Sequence, residues 1–564
     1  MTVYKIKTRI IKSLLILTTL VSSWTIHAAQ AQTTVIHNVK GYTLTREAGN
    51  KAKLKTFSAL AFAGGKVLAA GNKADLQKSY PDALLIDGQG KTLLPGLTDA
   101  HGHILGLGQG LARADLRGTK SEQEAADIVA EYAKQNPNQK WIFGRGWNQV
   151  LWPSKNFPTS ASLDKLNVDK PIILERIDGH AIWVNSVAMR LSGITAQTLD
   201  PDGGQIIRDE TGKATGVLID TAEQFVVDKK PATTSFELNF ALDKAQEHLL
   251  SLGITSAHDA GIDDATYQLY QQRQQAGTLS MRIYAMLAGS SDKLTSWLAK
   301  GFIQDDQDKL FIRSVKLYAD GALGSRGAAM IEPYSDQPDH KGLFVTQPKV
   351  LMNLTEQVLK AGFQANIHAI GDMGNRVVLD SIEAAYKKGY GKGLRHRIEH
   401  AQIISLADLK RLKTLDLIAS MQPTHATSDM NMAEDRVGSE RIKGAYAWRT
   451  LLDQGTIIAS GSDFPVELAN PFHGIYSAVT RAPQVKNGKS WKPEQKMSLT
   501  EALRSFTLDA AYSAHQEQVL GSLEPGKWAD FILVDRDMFN IPEQEIWQIE
   551  VLETWVAGEK VYQK

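Results

Sequence analysis

The chain contains no cysteine. That excludes thiolate metal sites, cysteine nucleophiles and any disulfide framework. Net charge is nearly absent, with 63 basic against 62 acidic residues in 564. A chain so balanced carries no electrostatic footprint for nucleic acid. Long apolar runs are also missing, apart from one short stretch near the start. With 43% hydrophobic and 22% charged residues, the composition is that of an ordinary soluble globular protein. At this length we expect one large domain with additions, or two to three domains.

The apolar stretch, SLLILTTLVSSWTI, follows Lys5, Lys7, Arg9 and Lys12 and precedes HAAQAQ. A basic start, a short apolar segment and small residues spaced for cleavage read as a secretory signal peptide over residues 1–31. A membrane anchor would need a longer span. We therefore expect an exported, periplasmic protein with no stable anchor once the signal is removed. The cleaved segment holds four basic and no acidic residues, so the mature chain is slightly acidic.

Residues 32–95 read as short strands punctuated by Gly-Gly and Asp-Gly turns. Residues 511–564 have the same texture, and the two ends are expected to pair in one β-sandwich. Between them, over residues 96–510, helical stretches alternate with GITSAHDAG, MRIYAMLAG, FIRSVKLYADG, FQANIHAIGD, LRHRIEHAQ, LDLIASMQPTH and GTIIASGSDFP. Each is a short apolar strand with polar residues or glycine at its C-terminal end. About eight such units predict an α/β fold with a closed parallel barrel. The segment from about 110 to 235 breaks the repeat and is rich in Trp and Gly. It reads as an inserted subdomain over the barrel mouth.

Function in such a barrel gathers at the C-terminal strand ends. There the sequence places His101 and His103, Lys316, His368, His400 and Asp463. Residues i and i+2 of a strand face the same side, so His101 and His103 can reach one metal ion, with Gly102 leaving room between them. Neutral imidazole is the commonest ligand for borderline ions such as zinc. Taken singly, each residue has an ordinary explanation. Lys316 could snorkel from a strand end, and Asp463 could cap a helix before Pro465. Their joint occurrence in this order, each at a strand end, points instead to a divalent metal site of one or two ions, most readily zinc.

The order HxH, Lys, His, His, Asp resembles the binuclear branch of the amidohydrolase superfamily. The fuller motifs LPGLTDAHGH, KLYADGALGSR, NIHAIGD, RIEHAQ, MQPTH, SGSDFP and GSLEPGKWADFILVD resemble amidohydrolase family 3, the YtcJ-like group that includes N-substituted formamide deformylase. The resemblance runs from about residue 35 to the end. It implies a metal-dependent (β/α)8 TIM-like barrel with a composite β-sandwich from both termini and an inserted α+β subdomain. It also implies that His101, His103 and Asp463 hold one ion and His368 and His400 a second. Lys316 would stand between them as an N6-carboxylysine. The implied reaction is hydrolysis of a C–N bond in a small amide-type substrate by metal-activated water, with Asp463 as the catalytic base.

Trp147, His180, His258, Arg326, Gln422 and His425 are candidate pocket residues, with Trp183 and Arg441 beside them. The tryptophans could equally form the insertion's own core. A mononuclear deaminase, a cyclic-amide hydrolase and an exported regulator or binding protein on the same scaffold stay open as alternatives. So does a homodimer.

Overall fold

The structure is a computed structural model describing residues 32–564, apart from 48–50, 167, 177–180, 202–203, 231–232, 325 and 486. The expected signal peptide, residues 1–31, and the candidate His180 lie outside the described residues. Among the described residues, no helix is long and apolar enough to cross a membrane.

Eight parallel strands form the centre: Leu97–Gly102, Ile254–Ile262, Arg282–Ala288, Leu310–Tyr318, Gln364–Ala369, Arg397–His400, Ile418–Met421 and Ile457–Ser460. They are buried along almost their whole length. Strands covered on both faces read as near-continuous apolar runs rather than alternating ones. The last strand returns to the first. Asp463 N–H donates to His101 O at 2.8 Å, and His103 N–H donates to Phe464 O at 2.7 Å. Glycine makes this closure fit: a Cβ on Gly102 would lie 2.4 Å from the Phe464 ring, and one on Gly461 2.5 Å from Asp99 Oδ1.

Both chain ends share one hydrogen-bonded sheet of eight strands. Its long strand Thr34–Glu47 changes partner at a bulge between His37 and Gly41. Alternation assigns the two faces. Leu93, Phe531 and Leu533 pack with Ile36, Leu60, Phe62 and Trp555 inside the sandwich, while Leu94, Ile532 and Val534 join the barrel core.

The insertion is a six-stranded sheet with its own helices and two cores of its own. One core gathers Trp147, Trp152 and Trp183, with Trp147 6.3 Å from each of the other two rings. Trp147 Nε1–H donates to Leu174 O at 2.7 Å and Trp183 Nε1–H to Thr159 O at 2.8 Å. Both indoles are fully buried and satisfied within the insertion. Of the two readings of Trp147 and Trp183, the structure bears out the insertion core, and their place among the pocket candidates is corrected.

Candidate active site

The strand ends deliver their polar side chains to one place. His101 leaves the first strand fully buried. Its Nδ1 is hydrogen-bonded to Glu399 Oε2, so Nε2 carries the lone pair and points into the site. There Lys316 Nζ lies 3.1 Å away and Asp463 Oδ1 3.7 Å away. His103 Nε2 is 3.2 Å from Asp463 Oδ1, and His425 Nε2 is 3.8 Å from Asp463 Oδ2. The His400 ring sits 4.8 Å from His101, 4.6 Å from His368 and 6.0 Å from His425. His400 Nδ1–H donates to Gln422 Oε1 at 2.8 Å. Gln422 thus orients a histidine and leaves Nε2 for a ligand.

Among the described residues, two groups have donor atoms within 4.8 Å of one another: His101, His103 and Asp463, and His400, His425 and Asp463. Asp463 belongs to both, which makes it a natural bridge. His368 Nε2, His425 Nε2 and Asp463 Oδ1 are buried without a hydrogen-bond partner. Buried polar atoms seldom stay unpaired. A set of converging imidazole nitrogens and one carboxylate is the donor chemistry a divalent cation needs. The residues present fit such an ion.

Electrostatics point the same way. Burial, reinforced by the Lys316 charge, lowers His101 to about 4 and His368 to about 3. Burial also holds His400 well below its ordinary value. All three are neutral imidazoles at physiological pH, the form that ligates metal. Burial pushes Asp463 up, but His103, with the neighbouring His101 and His425 rings, prevails and holds it at about 2. Burial brings the Lys316 amine down to about 8. Asp463 and His400 adopt left-handed backbone, with φ of 62° and 74°. Non-glycine residues held there are strained, and such strain clusters at functional sites.

The remaining candidates are placed elsewhere. His258 lies within the second strand, fully buried, its Nδ1 2.9 Å from Arg397 Nη1. It sits in a charged layer inside the barrel and not at a strand end, so its role in the pocket is corrected. Arg326 is also corrected. Its Nε and Nη2 pair with the two oxygens of Asp336 at 3.1 and 2.9 Å. Arg441 donates to the Glu332 and Pro333 carbonyls at 2.7 Å, which fixes a loop and leaves no free fork for a substrate carboxylate.

Sequence reasoning missed Glu399. It stands one residue before His400 in RIEH, and its carboxylate is gripped by Arg397 Nε at 2.7 Å and Nη2 at 2.9 Å. Burial pushes Glu399 up, yet Arg397 and His101 hold it ionised below the ordinary range. Arg397 also donates to Ala100 O at 2.6 Å and Ser420 Oγ at 2.8 Å. A carboxylate behind a ligating histidine sets its tautomer and raises its basicity. The clue in the sequence was two charged residues inside a strand buried on every position.

Comparison with known proteins agrees with this geometry. The model of the amidohydrolase family matches residues 84–562. Protein LONG AFTER FAR-RED 3 of Arabidopsis thaliana is 33% identical, over 89% of this chain and 88% of its own. YtcJ of Bacillus subtilis (strain 168), named as an amidohydrolase, is 30% identical over 89% and 95%. N-substituted formamide deformylase of Arthrobacter pascens is 25% identical over 90% and 95%. Among solved structures, an uncharacterized metal-dependent hydrolase from Pyrococcus furiosus superposes with a TM-score of 0.73 at 29% identity, covering 90% of this chain and 99% of that one. With a closed parallel barrel, convergent imidazoles and a shared carboxylate at its mouth, the chain belongs to the amidohydrolase family, in its YtcJ-like branch.

Proposed function

We propose that this hydrolase cleaves the C–N bond of a small amide-type substrate, an N-formyl or N-acyl amine, with divalent metal at the Asp463 cluster. The observation that carries the reading is Asp463 itself: one ionised carboxylate shared by two groups of converging imidazole nitrogens. His101 and His103 hold one side and His400 and His425 the other, with His368 beside them. Bound there, a zinc-like ion would polarise the substrate carbonyl and make water more acidic.

The chain's own residues do the rest. Asp463 accepts a proton from the attacking water as its oxygen bonds to the carbonyl carbon. The same carboxyl returns that proton to nitrogen as the C–N bond breaks, releasing acid and amine. Glu399 and Gln422 keep His101 and His400 in the ligating tautomer. The lowered Lys316 amine is suited to attack CO2, forming an N–C bond and losing a proton, to become an anionic carbamate facing His101. The deformylase similarity supports the formamide end of this substrate range. The basic and apolar start of the sequence supports an exported, periplasmic location.

The test is elemental analysis of the purified protein beside Lys316→Ala, followed by hydrolysis assays on N-formyl and N-acyl amines. About two ions per chain, falling in the variant, and cleavage of these amides are expected. One ion per chain, unaltered by losing Lys316, would overturn the carbamate. A metal-loaded protein inert towards every amide would overturn the reaction.

A further inference from the structure

The helix Ile104–Leu111 starts at His103 and packs along the helix Ser235–Ser251, so closely that a Cβ on Gly108 would meet Ala241 O at 1.8 Å. Beside this pair lie two cavities. One, of about 320 Å³, is lined by His103, Leu105, Gly106, Gln109, Thr233 and Leu238. The other, of about 90 Å³, is lined by Gln109, Arg113, Phe143, Lys230, Phe236 and Phe240. Gln109 and Thr233 line both. Positions 105, 109 and 112 recur at helical spacing, so one helix face runs the length of the path. From His103 to Ala112 that face spans about 13 Å.

The chemistry changes along the path. Near His103 the walls are mixed, with Leu105, Leu238 and Ile262 among Gln109, Thr233, Asp259 and Asp263. Further out, Phe236 stacks on Phe240 at 6.2 Å and 14°, with half of its surface exposed. At the far end stand two cations. Arg113 is shared with Glu175 at 3.5 Å. Lys230 Nζ lies 4.9 Å over the Phe143 ring and pairs with no carboxylate among the described residues. Glu237, in the wall of the outer cavity, is engaged in the capping box with Thr234. Exposed aromatic surface ending at an unpaired cation suits an apolar arm with a negative terminus.

We propose that this groove takes an elongated arm of the substrate, apolar where it crosses Phe236 and Phe240 and ending in an anion against Lys230 and Arg113. The proposal rests on the amide-hydrolase reading for what is cleaved at His103, and on the groove alone for what is bound.

Two readouts keep these apart. The first is calorimetric binding of decane-1-sulfonate, a poor metal ligand, to the metal-loaded protein. Binding is expected, and to weaken about tenfold in Lys230→Glu and in Gln109→Trp, which fills the junction. The second is kcat/KM for N-formylpropylamine, N-formyldecylamine and 10-formamidodecanoate. The carboxylate is expected to lead N-formyldecylamine by about tenfold, and Lys230→Glu to erase that ratio. Sulfonate that fails to bind, or binds all three proteins equally, overturns the groove whatever the amides do. Failure to cleave any of the three amides, with sulfonate binding intact, removes the hydrolase reading and leaves the groove standing.

Discussion

At the residue scale, the site depends on carboxylates in unlike surroundings. Among the described residues, the Asp463 carboxylate pairs with ring nitrogens, and it stays ionised. Glu399 sits behind His101, gripped by Arg397. Asp463→Asn should cost at least about a hundredfold in kcat with the circular dichroism spectrum unchanged, because the base is lost and the shape is kept. Glu399→Gln should act differently. Its amide can still meet His101, but it no longer draws charge onto Nδ1–H, so metal affinity is expected to fall about 10- to 100-fold. A competitive chelator titration reads that directly, and unaltered affinity would mean that Glu399 serves only to neutralise Arg397.

At the scale of elements, caps and close approaches decide the fit. The helix Leu499–Ser505 starts with a Ser498–Glu501 capping box, and Arg449 pairs with both Glu501 oxygens at 2.9 Å. Burial raises Glu501, but Arg449 and Ser498 prevail and bring it from 4.5 to about 2. A depressed acid stabilises the fold above its unfolded value and loses that contribution as pH falls through its folded one. The Glu501 contribution is therefore complete above about pH 5 and lost between about pH 4 and pH 2. Glu501→Gln should destabilise the fold by about 1–2 kcal/mol at pH 7, with the deficit vanishing near pH 2 in denaturant titrations.

Two further substitutions separate packing from chemistry. Gly102→Ala would drive a methyl group into Phe464, and should lower stability by about 1–3 kcal/mol and metal content with it. Trp147→Ala should cost about 3–5 kcal/mol in the insertion and leave metal stoichiometry intact, since the indole belongs to the insertion core. Thermal unfolding beside elemental analysis tests both.

At the scale of the whole molecule, much was legible in the sequence because a parallel barrel repeats one simple pattern. An apolar run ending in a polar residue occurred at each strand end, so His101, His103, Lys316, His368, His400 and Asp463 could be named in advance. All six stand in one cluster. The misjudged residues share a different physics. Trp147, Trp183, Arg326 and Arg441 have versatile side chains that find other protein partners, and no spacing tells a satisfied indole or guanidinium from a free one. His258 was placed too high by a few residues, because the second strand continues to Ile262. His425 and Gln422 follow a strand rather than ending it, and only the fold sets one beside Asp463 and the other on His400.

The ring closes between its first and last strands, and the donors are divided across that join. Asp99 accepts from Ser462 N–H and Oγ–H across 363 positions of chain, two residues from His101 and one from Asp463. Contacts of such long range are the slowest to form, since loop entropy is spent before they repay it. The His101, His103 and Asp463 set is complete only once the first and last strands have met, so full coordination of an ion there follows ring closure. The rate of metal uptake during refolding becomes a clock for ring closure, and once captured the ion acts as a clasp on the longest loop in the barrel.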